Sequence, residues 1–281
     1  MYTLPAVVLL GAVSAYPLVQ LIRMSLSDVT IATLQSHWSF VGLRNFLTQA
    51  ETRLFRASVG YTVIFVAIVA GFSLLGGFIA ALALRGRGRF VGFLLGLTVF
   101  VWALPPVVSG SVWKFLLAGT GPINMVLGSF GLSKIPFLYD PKLAIYSVAA
   151  VNTWAVIPFA TLVFRAALLG VQPEVLEAAR IDGARPFQEV VHVIVPQVRP
   201  TIYVLGILTV VYAFRSFDFI YVMTAGGPGT ATNTLAFLGY SLAFVQYNYG
   251  MGAAVSIVSV LLVIGLAFLY SRSVFREEKE I

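Results

Sequence analysis

The sequence contains no cysteine and only two histidines, and charged residues make up 10% of it. Without cysteine there can be no disulfide, no thiol catalysis and no Cys-based zinc site. An ordinary soluble domain carries about 25% charged residues, so so little charge argues against a water-soluble globule. A phosphate-binding G-x-x-x-x-G-K-[ST] loop is also missing, so the chain carries no sequence basis for hydrolysing ATP itself. No set of nucleophile, base and orienting residue stands out either.

Hydrophobic residues, in contrast, make up 59% of the 281 residues. They gather in runs of about 20 or more, the length a helix needs to cross roughly 30 Å of hydrocarbon. The expected fold is an all-α integral membrane protein, one domain over residues 1–281. Six spans are predicted: about Thr3–Leu26, Ala57–Leu84, Phe90–Trp113, Leu143–Leu169, Thr201–Ala225 and a last one ending near Tyr270. A short interfacial helix, Leu235–Gln246, precedes the last, because Tyr240, Gln246, Tyr247 and Asn248 suit a membrane surface. The apolar start lacks a basic leader region and is too long for a typical signal core, so it reads as a retained first span.

The net charge of +7 admits a nucleic-acid or anionic-surface reading, but the basic residues are spread over short loops between apolar runs. Topology accounts for them. Arg85, Arg87, Arg89, Arg165, Arg180, Arg185, Arg199, Arg272, Arg276 and Lys279 fall on one side, against Arg23, Arg44, Arg53, Arg56, Lys114, Lys134 and Lys142 on the other. The first set is also denser, which puts both termini in the cytoplasm by the positive-inside rule. His37 and His192 then lie on opposite sides, so neither a catalytic pair nor a two-histidine metal site is plausible.

The loop between the fourth and fifth spans, residues 171–200, carries the most information. Pro173 suits a first helical turn, and Glu174 complements the positive helix end. Val175, Leu176 and Ala179 form a narrow apolar stripe, and Asp182-Gly183 signals a turn in which glycine takes a positive φ. Pro186 can open a second helix whose Phe187, Val190, Val191 and Ile194 make one apolar face. Pro196 and Pro200 are expected to end it. Such a hairpin is too apolar to lie bare, and its small residues (Ala178, Ala179, Gly183, Ala184) let another backbone approach closely. It must dock on its own spans or on a partner. A DNA-reading helix-turn-helix is disfavoured by its tethering at both ends and by Glu174, Glu177, Asp182 and Glu189.

Glu177-Ala-Ala, three residues, Gly183, nine residues, then Val193-x-Val195-Pro196 closely resembles the "EAA" loop of permease subunits in ATP-binding-cassette importers. The family usually has Ile and Leu where this chain has Val193 and Val195. Phe40-Val-Gly-Leu-Arg-Asn-Phe46, Phe217 to Pro228, and Asn233-Thr-Leu235 through Tyr249-Gly250 resemble segments of maltose-type sugar permeases, most of all the first permease of the heterodimer. The resemblance implies a bacterial inner-membrane protein whose 171–200 loop is a coupling helix inserting into an ATPase groove. Glu177, Ala178, Ala179, Asp182, Gly183, Ala184 and Pro196 would form that contact, with Glu177 facing a basic residue and Gly183 making the turn. It implies a second homologous permease, two ATPase subunits that hold ATP and magnesium, and an extracytoplasmic solute-binding protein. No cofactor is expected in this chain and no nucleic acid among its partners.

For the cargo, intramembrane polarity is the remaining signal. Arg215 and Asp218, at i and i+3, are expected to share a helical face. A charge at the bilayer centre costs at least about 2.5–3.5 kcal/mol, so the pair must meet a partner or a wet cavity. They are either a structural ion pair or part of the path. Asn152, Trp154, Tyr212 and Tyr221 could add the mixed polar and stacking surface that sugars favour, although single aromatics near span ends more often form membrane belts. Gly71, Gly76 and Gly77 read as helix-packing positions. The expected activity is import of a carbohydrate or polyol. Import of a glycerol phosphate or glycerophosphodiester, and a stand-alone secondary transporter, are the alternatives.

Overall fold

A computed structural model describes residues 4–86 and 88–277. Arg87 and Lys279, which entered the charge count, lie outside the described residues, as does Thr3; the side chains of Arg272 and Arg276 are not described.

Apolar runs with few breakers become long helices. The chain runs α1 (Leu4–Ser25), a minimal hairpin of β1 (Ser27–Asp28) and β2 (Ser39–Phe40), α2 (Arg44–Glu51), α3 (Arg53–Ala83), α4 (Arg89–Ala103), α5 (Pro106–Leu116), α6 (Pro122–Ser129) and α7 (Ala144–Leu169). The antiparallel β1–β2 pair sets Ser27 opposite Phe40. There follow α8 (Pro173–Ile181), α9 (Pro186–Glu189), a π-helical turn (Val190–Ile194), α10 (Val195–Arg215), α11 (Asp218–Met223), α12 (Leu235–Tyr240), a second π turn (Ser241–Val245) and α13 (Tyr249–Glu277).

Four helical stretches are long and apolar enough to cross a bilayer: α3, α7, the run Pro186–Met223 and Tyr249–Leu266 within α13. The bent α4–α5 pair makes a fifth. The expected first span coincides with a further apolar helix, α1, 22 residues long.

Two of the expected spans are interrupted. The third, predicted as one helix over Phe90–Trp113, turns by 98° between α4 and α5. The cause is Pro105-Pro106: a proline drives the residue before it out of the helical region. Leu104 accordingly sits at φ −66°, ψ 129°. The fifth breaks at Ser216, whose ψ of 108° separates α10 from α11.

The expectation that Pro196 and Pro200 end the second hairpin helix is also overturned. The helix continues from Pro186 into α10, with Pro196 in the first turn of α10 and Pro200 inside it. The intervening π turn, closed by Val195 N–H to Val190 O, is wider than an α turn. It relieves the clash between a proline ring and the carbonyl four residues earlier.

The long helices α3 and α7 form the central pair. At Gly77 an added Cβ would come within 2.5 Å of Ala160 Cβ, and at Gly76 within 2.9 Å of Ile157. These two glycines permit the close approach; Gly71 has nothing within 4 Å and takes no part. The helix expected at Leu235–Gln246 is present, as α12 and its π turn. Its inner residues Leu235, Leu238 and Leu242 are buried in a cluster with Val255 and with Leu54 and Phe55, so it lies packed on α3 and α13.

Candidate functional site

The hairpin forms as its residues dictate. Pro173 and Pro186 both occupy first helical turns. The α8 C-terminus closes with two bonds, Ala184 N–H to Ala179 O (2.9 Å) and Gly183 N–H to Arg180 O (3.0 Å). This is a Schellman closure, and it requires a left-handed residue at the turn. Gly183 supplies it at φ 86°. On α9, the Gln188 side chain accepts the Arg185 backbone N–H at 2.8 Å.

The hairpin has two unlike faces. Leu176, Ile194 and Val198 are buried with Leu168, Val171, Phe164 and Ala81, which docks one face on α3, α7 and α10. On the other, Glu177, Ala178, Asp182 and Gly183 are exposed, Ala179 and Ala184 half-buried, and Pro196 exposed on α10. Two large apolar side chains stand bare there, Ile181 at 86% and Phe187 at 77% exposure. Phe187 therefore does not join Ile194 in one packed stripe: the π turn intervenes, and the two residues face different surroundings.

One carboxylate that sequence reasoning left unassigned closes the hairpin. Arg180 donates to Glu189 through Nε (2.8 Å) and Nη2 (3.1 Å). Arg85 Nη1 lies 3.9 Å from the same carboxylate, whose side chain is 9% exposed. The hydrogen-bonded Arg180 guanidinium holds the Glu189 carboxyl below the usual carboxylate range, against the opposing effect of burial. The contribution of a depressed carboxyl is present in full above its ordinary pKa and is lost only as pH falls through the lowered value. The fork is therefore closed throughout neutral pH. Only a carboxylate nine residues from an arginine was visible in the sequence, a spacing with no helical meaning until the turn folds back.

The intramembrane candidates separate. Arg215 and Asp218 end up on opposite sides of the Ser216 break, and among the described residues no ion pair joins them. An i, i+3 pair needs continuous helical backbone, and the break removes it. Arg215 instead lies over the Tyr212 ring, 6.0 Å from its centroid. Asn152 is fully buried and donates its Nδ2 to Ser216 Oγ at 2.5 Å, tying α7 to the break. Its Oδ1 has no hydrogen-bond partner among the described residues.

A cleft of about 530 Å³ opens beside this junction, lined by Trp102, Phe159, Thr209, Tyr212, Arg215 and Phe219 among others. Trp102 and Phe159 stack with ring centroids 6.0 Å apart. Asn152 is not among the lining residues, though its helix neighbours Ala155 and Val156 are. Trp154 points elsewhere, edge-on to Trp113 at 5.4 Å. Tyr221 belongs to a separate aromatic group with Phe217 and Tyr240. Trp102, Phe159 and Thr209 escaped notice because in sequence they are ordinary members of apolar runs.

We expect Asn152→Leu to lower the stability of the extracted protein by no more than about 2 kcal/mol. One interhelical hydrogen bond in a bilayer is worth roughly 0.6–1.7 kcal/mol, and the unpaired Oδ1 is removed along with it. Thermal aggregation midpoints in detergent measure this.

The chain matches the family described as "binding-protein-dependent transport system inner membrane component" over residues 73–277. It is 34% identical over 235 residues to the trehalose/maltose transport system permease protein MalF of Thermococcus litoralis, covering 82% of this chain and 78% of that one. It is also 34% identical over 242 residues to the sn-glycerol-3-phosphate transport system permease protein UgpA of Agrobacterium fabrum, covering 84% and 81%. In fold it superposes with a TM-score of 0.84 at 19% identity on a chain of a bacterial ABC transporter involved in import of the acidic polysaccharide alginate, covering 98% of this chain and 94% of that one. The fold is thus that of an ABC importer permease, all-α and membrane-spanning, and the chain belongs to the family of binding-protein-dependent transport system inner membrane components.

Proposed function

We propose that the whole chain is one permease subunit forming half of the translocation path for a carbohydrate, driven by an ATPase that docks on the 171–200 hairpin. The bare outer face of that hairpin carries this reading. Ile181 and Phe187 expose large apolar surface next to Glu177, Ala178, Asp182 and Gly183. Such a patch on a loop marks a protein contact. ATP and magnesium would sit in two ATPase subunits; a second homologous permease would complete the path, and an extracytoplasmic binding protein would deliver the solute. Both termini would be cytoplasmic, on the hairpin side. Membership of a binding-protein-dependent family displaces the stand-alone transporter reading. Copurification of ATPase subunits with the tagged chain, and their loss in Glu177→Lys, tests the docking role. Normal recovery with that variant would sink it.

For the cargo, the 530 Å³ cleft supplies aromatic walls and a single cation, Arg215. The mixed surface fits a hydroxyl-rich ring, and the sugar-transporting relative points the same way. A second reading, glycerol phosphate, is favoured by Arg215 and by the glycerol-phosphate relative. Arg215→Gln separates them. A neutral sugar exchanges one charge-assisted hydrogen bond for a neutral one, about 1 kcal/mol, so uptake should fall about tenfold or less. A phosphate loses its counter-charge, and uptake should fall by roughly a hundredfold or more. Radiolabelled uptake of trehalose and of sn-glycerol 3-phosphate reads both.

A further inference from the structure

We propose that Glu189 is a positioning residue that locks the α8–α9 hairpin to the end of α3, so that the hairpin and the α3–α7 pair move as one body. The proposal rests on the reading above that force enters through the hairpin.

Its basis is a four-part connection. Arg180 from α8 and Glu189 from α9 close a two-bond fork across the hairpin. Arg85, just beyond α3, approaches the same carboxylate at 3.9 Å. The preceding residue completes the chain of contacts: Leu84 O accepts a hydrogen bond from Arg165 Nε of α7 at 2.9 Å. Two successive residues after α3 thus reach α7 on one side and the hairpin on the other.

Apolar contact alone fixes such a body poorly. Leu176 and Ile194 pack on Leu168 and Val171, but dispersion is non-directional, and the hairpin could slide over that surface. A planar fork specifies angle as well as distance. An isolated surface ion pair contributes little, but a bidentate pair on a largely buried carboxylate, shared with a second arginine, forms a network. Glu189 is its common member: its side chain is 9% exposed, against 28% for Arg85 and 60% for Arg180.

The absence of native cysteine makes the test direct. Spin labels are placed on Ala83→Cys, exposed at the end of α3, and Arg185→Cys, exposed in the hairpin turn. Distances are measured by pulsed electron resonance in nanodiscs holding the complex with its ATPase subunits, with and without ATP and magnesium.

The expected result is one narrow distance that ATP leaves unchanged. In Glu189→Gln and Arg85→Gln the distribution should broaden about twofold or more and shift with ATP, with Arg85→Lys restoring the narrow form. ATPase copurification checks that each variant assembles. A Glu189→Gln protein that assembles normally and keeps the narrow, ATP-independent distance overturns the proposal alone. A wild-type chain that recovers no ATPase overturns the functional reading and this proposal together. Loss of assembly in Glu189→Gln is met by Arg85→Gln, which leaves the hairpin's own fork intact; an unchanged distance there also overturns the proposal.

Discussion

A chain carrying Ile181→Glu and Phe187→Glu should fold and insert normally yet copurify less than about one hundredth as tightly with the ATPase subunits proposed to dock on the hairpin. Neither side chain contributes to its own core: they are 86% and 77% exposed, beside the turn at Gly183. Their removal therefore costs the bundle little. Against a docked partner, each would bury a large apolar surface worth roughly 1.5–3 kcal/mol. Two such anchors together account for about 3–6 kcal/mol, which is roughly a hundredfold or more in affinity. Putting carboxylates in the contact adds desolvation cost on top. Surface immobilisation of the permease in detergent, with the ATPase subunit flowed across, measures the loss directly. Unchanged binding would mean that the ATPase sits elsewhere, and the bare patch would need another occupant.

Gly77→Val should have the largest effect on the protein itself. An added Cβ at that position meets Ala160 Cβ at 2.5 Å and the backbone of residues 160 and 161 at 3.0–3.1 Å. Backbone cannot rotate out of the way as a side chain can, so α3 and α7 must separate. Overpacking typically costs 1–3 kcal/mol, and parting a central helix pair should push the cost to the upper end, about 3 kcal/mol or more. Little protein should survive detergent extraction in its monodisperse form. Valine at Gly71 makes the control, because nothing lies within 4 Å there. Ala160→Gly should partly restore the Gly77→Val chain by removing the nearest atom. Size-exclusion profiles of the three variants decide the matter, and equal recovery of Gly77→Val and Gly71→Val would show that the close approach is not maintained in the bilayer.

The hairpin was legible from residue order because its signals are local. Pro173, Asp182-Gly183 and Pro186 each act on their own turn of backbone, and the structure puts α8, the left-handed Gly183 and α9 where they indicate. The spans were legible for a related reason: hydrocarbon demands length and apolarity, both of which add up along the chain. The bend at Leu104 was missed although Pro105-Pro106 was in view. A count of apolar residues carries no penalty for direction, so it scores a bent pair as a single span.

The candidate path was read less well, because contact across helices leaves no trace in spacing. Arg215 and Asp218 sit three apart in sequence, but the break at Ser216 sets them on separate helices. Asn152 and Ser216 are 64 residues apart and meet at 2.5 Å. Trp102, Phe159 and Thr209 line the cleft only because α4, α7 and α10 converge there.

Composition and order thus determined by themselves that the chain is a bundle of apolar helices with a polar-edged hairpin between the fourth and fifth spans. Hydration free energy and backbone stereochemistry act residue by residue, so a one-dimensional reading captures them. Only the tertiary structure decided which face of the hairpin is bare, that Glu189 gathers Arg180 and Arg85, and which side chains share a cleft. Those outcomes depend on directional contacts between residues distant in the chain, whose geometry is set once the helices have packed.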